Sequence, residues 1–215
     1  MNFAQAVQDK FIDTFNMVSG IIRSARGDPE AWEASLRRFE ARDRIQPAPA
    51  GAILFTGSSS ITLWSNLAQD MAPLPALNRG FGGSRMADVV HYAERIVRPY
   101  HPRAVVLFAG TNDIADPKPA TAQQVFEGYL AFVSAVQVAL PATPIFYISI
   151  TPTPLHWKYW PVVREANRLI QVHTETDPLL HFIDIASALL GTDGLPDRHL
   201  FRRDRLHPNA RGYEK

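Results

Sequence analysis

Apolar positions along this chain change their period once, near residue 51, and the change divides it into two parts. Before it, Phe3, Val7, Phe11, Phe15, Val18 and Ile22 recur at three- and four-residue steps, which lines up one face of a helix. Asp28-Pro29 reads as an N-cap with a first-turn proline, and Trp32, Leu36 and Phe39 form a second helical stripe. Glu33 and Arg37 sit four apart on its exposed side. Residues 1–50 are therefore expected to form an N-terminal extension of two helices packed on the main body. A homodimer contact through the same helices is the other use of such a face. Ile45–Gly51, with prolines at 47 and 49, is a stiff connector.

Beyond it, short continuous apolar runs alternate with longer helical patterns. Strands are predicted at Ile53–Phe55, Ala76–Asn78, Ala104–Ala109, Ile145–Ile150 and Phe182–Ile185. Helices are predicted at Ile61–Met71, Met86–Val97, Thr121–Leu140 and Val162–His173. Strands apolar on both faces and alternating with helices define an α/β domain, residues 51–215, with a parallel sheet and right-handed crossovers. No internal repeat or low-complexity segment interrupts it.

Composition narrows the function classes. With 46% hydrophobic and 20% charged residues the chain has an ordinary globular make-up, and a net charge of +1 leaves no electrostatic footprint for nucleic acid. The absence of cysteine excludes disulfides, thiol nucleophiles and thiolate metal sites. No apolar run is long enough to span a bilayer. Asp9, Lys10 and Asp13 fall where a signal peptide would be uncharged, so a cytoplasmic location is expected.

In an open parallel sheet, ligands bind off the C-terminal ends of the strands. The polar, glycine-rich segments fall at those ends: Gly57–Ser60, Gly80–Ser84, Gly110–Asp113 and Thr151–Pro154, with Asp204–Pro208 beyond the last strand. Each carries a usable group. A serine hydroxyl needs a general base, which histidine supplies near neutral pH. Asp204 lies three residues before His207, close enough to fix its tautomer. A glycine at 83 lets a backbone N–H approach a reacting oxygen, and the Asn112 amide offers another donor. Singly, these segments also read as caps, turns and a loop ion pair.

Together they resemble the SGNH hydrolases, the GDSL-like branch of serine esterases. The matching blocks are Phe55-Thr56-Gly57-Ser58-Ser59, Asn78-Arg79-Gly80-Phe81-Gly82-Gly83, Gly110-Thr111-Asn112-Asp113 and Asp204-Arg205-Leu206-His207, in the family's order. The resemblance implies a three-layer α/β/α flavodoxin-like fold with sheet order 2-1-3-4-5. It implies Ser59 as nucleophile, His207 as base and Asp204 as its partner. The Ser59 and Gly83 N–H groups and the Asn112 amide would form the oxyanion hole. Ser59 is preferred over Ser60 because it keeps Trp64 in ungapped register with the family's tryptophan, and Ser58 ranks last. Two departures stand out: Ser58 replaces the family's aspartate, and the chain stops at Lys215 where relatives continue into a closing helix, which suggests a truncated or shortened last element.

The expected activity is hydrolysis of a small carboxylic ester, its acyl group short because no large apolar surface is evident. Trp157 and Trp160, on the loop after the fourth strand, are candidates for the pocket wall. The alternatives are a catalytically silent acyl- or carbohydrate-binding module and a flavodoxin-like nucleotide- or flavin-binding protein. The other histidines lack metal-ligand spacing, and Gly80–Gly83 misses the dinucleotide fingerprint, so neither metal nor cofactor is expected.

Overall fold

The computed structural model describes residues 3–25, 27–115 and 117–215, without the side chains of residues 3–11 and 13. Five strands form one parallel sheet in the order β2-β1-β3-β4-β5. They are β1 (Ile53–Gly57), β2 (Ala76–Gly80), β3 (Ala104–Phe108), β4 (Ile145–Ile148) and β5 (Leu180–Ile183). β3 is central, and all five of its residues are buried. Helices lie on both sides, giving the α/β architecture that the alternation predicts.

β5 begins and ends two residues earlier than predicted, because Ile145 of β4 pairs with Leu180. Beyond Ile183 the Ser149 hydroxyl accepts the Ile185 and Ala186 N–H groups, so the chain leaves the ladder there. The predicted helix Ile61–Met71 is instead two short ones, α3 (Ser59–Thr62) and α4 (Leu67–Asp70). The Asn78 amide occupies the Ile61 carbonyl at 2.6 Å, and the Trp64 indole turns to Asp70. The predicted Met86–Val97 helix likewise breaks into α5 (Met86–His91) and α6 (Ala93–Val97). Between them Tyr92 is buried edge-on against Phe81.

The larger core lies between one sheet face and the helices α5, α6, α8 (Ala122–Ala139) and α9 (Trp160–Thr174). The predicted Thr121–Leu140 helix is α8, and Thr121 caps it, its hydroxyl accepting the Gln124 N–H while the Gln124 side chain accepts that of Thr121. Trp32 and Leu36 belong to the same core. On the opposite face α3 and α4 cover β1 and β2. A groove of about 840 Å³ remains beside them, lined by Phe55, Val106, Phe108, Phe146 and Ile148.

The N-terminal part forms α1 (Phe3–Ala25) and α2 (Glu33–Ile45). α2 starts later than Asp28-Pro29 predicts. The Asp28 carboxylate instead accepts the Glu30 N–H and the Arg23 guanidinium, which holds a turn there. The Arg79 guanidinium, buried on β2, anchors α2 by pairing with Asp43 at 2.5 Å and lying over the Phe39 and Tyr100 rings. Glu33 joins Arg37, as its spacing predicts, and also Arg95 of α6. The α1 stripe is where expectation and structure part. Phe15, Val18 and Ile22 face solvent, while Met17, Ile21 and Ser24 make contacts to the main body and Gly20 meets the Trp32 ring. Phe3, Val7 and Phe11 lie outside the described side chains.

Candidate active site

Four segments meet at the C-terminal rim of the sheet, and the sequence dictates how each arrives. Gly57 ends β1 at φ +119°, and any Cβ there would collide with the Phe108 carbonyl. The Ser58 N–H then bonds that carbonyl at 2.9 Å, which turns the chain off the sheet. Ser58 is fully buried, and its own carbonyl accepts the Ile61 and Thr62 N–H groups of α3. Ser59 follows as the first residue of α3. The Ser60 carbonyl instead accepts the Tyr213 hydroxyl at 2.7 Å, and Ser60 lines the groove on the far sheet face.

His207 Nε2 stands 2.8 Å from Ser59 Oγ, and its Nδ1 stands 2.8 Å from Asp204 Oδ2. With the proton on Nδ1 donated to Asp204, Nε2 is free to accept the serine proton. Partial burial pushes the Asp204 carboxyl up, but the His207 ring and the His207 and Leu206 N–H groups outweigh it and hold it at about 2. The turn between the two residues needs Arg205 at φ +61°. Arg202 N–H to His207 carbonyl, at 2.8 Å, and Leu155 N–H to Arg205 carbonyl, at 3.0 Å, tie that turn in place.

Gly83 adopts φ +90° on the loop after β2. An added Cβ on its neighbour Gly82 would lie 3.5 Å from Ser59 Cβ, so this loop runs directly beside the serine. The loop after β3 holds Asn112 in the short helix α7 (Thr111–Ile114). One N–H of the Asn112 amide donates to the Ser84 carbonyl at 2.9 Å. The adjacent Asp113 carboxylate accepts the Met86 N–H, at 3.1 and 3.2 Å to its two oxygens. Both contacts fasten the glycine loop to the asparagine loop. Burial pushes the Asp113 carboxyl up to about 6, against the lowering by the Met86 and Asp113 N–H groups.

The structure thus brings Ser59, His207 and Asp204 into one hydrogen-bonded row with the Gly82–Gly83 loop alongside. Trp157 and Trp160 stack at 5.7 Å against a cleft of about 10 Å³ that Thr111 and Ile114, which flank Asn112 and Asp113, help to line. Sequence reasoning missed Asp113 as a fastener of the site. It also missed Met17 and Ile21 of α1, which pack on Gly82 and Gly83. Their four-residue spacing was a legible helical signal, but it ran beside a stronger stripe. Among the described residues no cluster of three histidine or acidic side chains could hold a metal ion. No described helix is long and apolar enough to cross a membrane.

A Ser–His–Asp row on the rim of a parallel sheet is the framework of a serine hydrolase. The family model for the GDSL-like Lipase/Acylhydrolase family matches residues 50–215, and the chain belongs to that family. Among solved structures, a Streptococcus pneumonia protein proposed to be a platelet activating factor shares 18% identity at a TM-score of 0.74. That match covers 99% of this chain and 95% of the other. A GDSL-like lipase from Bacteroides thetaiotaomicron gives 16% identity and a TM-score of 0.68, covering 83% of this chain and 91% of its own. An acetyl-xylooligosaccharide esterase from Geobacillus gives 15% and 0.61, covering 78% and 90%. No curated protein matches the sequence.

Proposed function

We propose that this protein hydrolyses short-acyl carboxylic esters through an acyl-serine intermediate. The observation that carries the reading is the unbroken row Ser59 Oγ, His207 Nε2, His207 Nδ1 and Asp204 Oδ2, with both heavy-atom separations at 2.8 Å. Ser59 Oγ attacks the ester carbonyl while His207 Nε2 takes its proton. The carbonyl oxygen becomes an oxyanion, received by the Ser59 and Gly83 N–H groups and by the Asn112 N–H not bonded to Ser84. Collapse breaks the bond to the alcohol oxygen, which leaves with the proton from His207. Water then gives a proton to His207 and attacks the acyl-serine, and collapse returns the proton to Ser59 and frees the acid.

Asp204 remains a carboxylate at any ordinary assay pH and steadies the imidazolium formed in each half-reaction. Trp157 and Trp160, stacked beside a narrow cleft next to Asn112, are the candidate wall for a small acyl group. Hydrolysis of p-nitrophenyl acetate tests the reading. Ser59→Ala should lose about a million-fold in kcat, and Asn112→Ala about 100- to 1000-fold. Near-wild-type turnover by Ser59→Ala overturns it.

A further inference from the structure

The N-terminal helix stands closer to the serine than a packed appendage requires. Met17 Sδ lies 2.5 Å from where a Gly82 Cβ would be, and that same point is 3.5 Å from Ser59 Cβ. Ile21, one turn further along α1, occupies the space a Gly83 side chain would need. Two glycines in succession thus let α1 lie against the loop that borders the serine. The helix is held in that position at Gly20, whose Cα side is filled by the Trp32 ring, and by the Ser24 hydroxyl on Asp88 at 3.0 Å.

From Ile21 the apolar surface of α1 continues outward into solvent. Val18 is 48% exposed, Ile22 49% and Phe15 65%, and Ile12 extends the strip along the helix. At 1.5 Å per residue, Ile12 to Ile22 spans about 15 Å. Placing large apolar side chains in water at the edge of a reaction site contributes nothing to folding. It does provide a surface on which a hydrocarbon chain is withdrawn from water. On the other flank, beside Asn112, the stacked Trp157 and Trp160 line a narrow cleft, much smaller than the strip on α1. A small acyl group fits the second feature, so a long chain on the first belongs to the alcohol half of the ester.

We infer that α1 is the apolar wall of the substrate site, and that it receives the alkyl chain of a short-acyl ester of a long-chain alcohol. Met17 and Ile21 border the reacting centre, and Val18, Ile22 and Phe15 carry the chain away from it. This inference rests on the esterase reading above and names its substrate class.

The test compares wild type with Phe15→Ser/Val18→Ser/Ile22→Ser, three exposed positions whose replacement leaves the core intact. Two ester series are assayed below their micelle-forming concentrations: alkyl acetates from ethyl to decyl, and p-nitrophenyl esters from acetate to decanoate. In wild type, kcat/KM should rise about tenfold or more along the alkyl series and fall along the acyl series. The triple variant should lose the alkyl rise, its kcat/KM for decyl acetate falling about tenfold or more, to the level of ethyl acetate. Binding is read separately in the Ser59→Ala background. Decyl acetate should bind about tenfold more tightly than ethyl acetate, and the preference should vanish when the triple substitution is added.

Chain-length profiles and binding preferences identical in wild type and variant overturn the inference. If light scattering then shows a wild-type dimer and a monomeric variant, the strip is a contact between copies instead. A rise along the acyl series that the variant loses overturns the assignment to the alcohol half. Failure of the esterase reading is distinguishable: wild type would turn over neither series, while the binding comparison would still decide the role of α1.

Discussion

Asp113 shows how one side chain links stability to the geometry of the site. Its carboxylate joins the asparagine loop to the glycine loop through Met86, and burial raises it from 3.8 to about 6. The folded protein therefore binds a proton there more tightly than the unfolded chain does. This residue's contribution is most favourable below the unfolded value and is lost as pH rises through about 6. Asp113→Asn keeps a carbonyl acceptor for the Met86 N–H but cannot ionise. Between about pH 5 and about pH 7.5 the melting temperature of wild type should fall relative to that of Asp113→Asn. Parallel melting curves across that range would show that Asp113 does not titrate there. Ser58 is the contrasting case. It stands where the resemblance expects an aspartate, yet it is buried and its backbone alone makes the turn, through Phe108, Ile61 and Thr62.

Elements are positioned here by aromatic and ionic plugs between them. Trp32, just ahead of α2, is almost fully buried, meets Phe81 at 5.7 Å between ring centres and backs the helix α1 at Gly20. Trp32→Ala should cost about 3–5 kcal/mol, read by denaturant unfolding, because the cavity would open in a shared core. It should also lower turnover, since Ile21 and the Gly83 loop rest against the same ring. Retained stability would mean that α1 and α2 collapse into the space. Arg79 acts similarly between α2 and β2, where its charge is balanced by Asp43 and its plane is covered by Phe39 and Tyr100. The Tyr100 hydroxyl, pushed up to about 12 by burial and by Asp43, stays neutral and donates to that carboxylate.

At the scale of the whole molecule, Ala31, Trp32 and Leu36 of the N-terminal part share the larger core with the sheet, and α1 packs on Trp32 at Gly20. The match covering 99% of this chain extends over them, whereas the Bacteroides lipase match covers 83%. We therefore expect the full chain to unfold in one cooperative thermal transition and a fragment of residues 46–215 to lose it, with Phe81 and Tyr92 left bare. A fragment melting as cooperatively as the whole would define residues 51–215 as an independent folding unit.

Much of this was legible in the sequence for a local reason. Five apolar runs, three glycine-bearing turns after the first three of them and the three-residue Asp204–His207 spacing are one-dimensional signals, and parallel-sheet physics places their polar ends on one rim. The strand order and the order of the four blocks followed from the family resemblance. Other features were decided only by contacts between residues far apart. The Ile61 carbonyl met Asn78 and ended a helix early; Ser149 drew the chain off β5. The face that α1 turns to the main body was set by two glycines about sixty residues away, which let Met17 and Ile21 approach and leave Phe15, Val18 and Ile22 in water. Periodicity reports that a helix has an apolar side. Which side finds a partner depends on shape complementarity, and that exists only once the chain has folded.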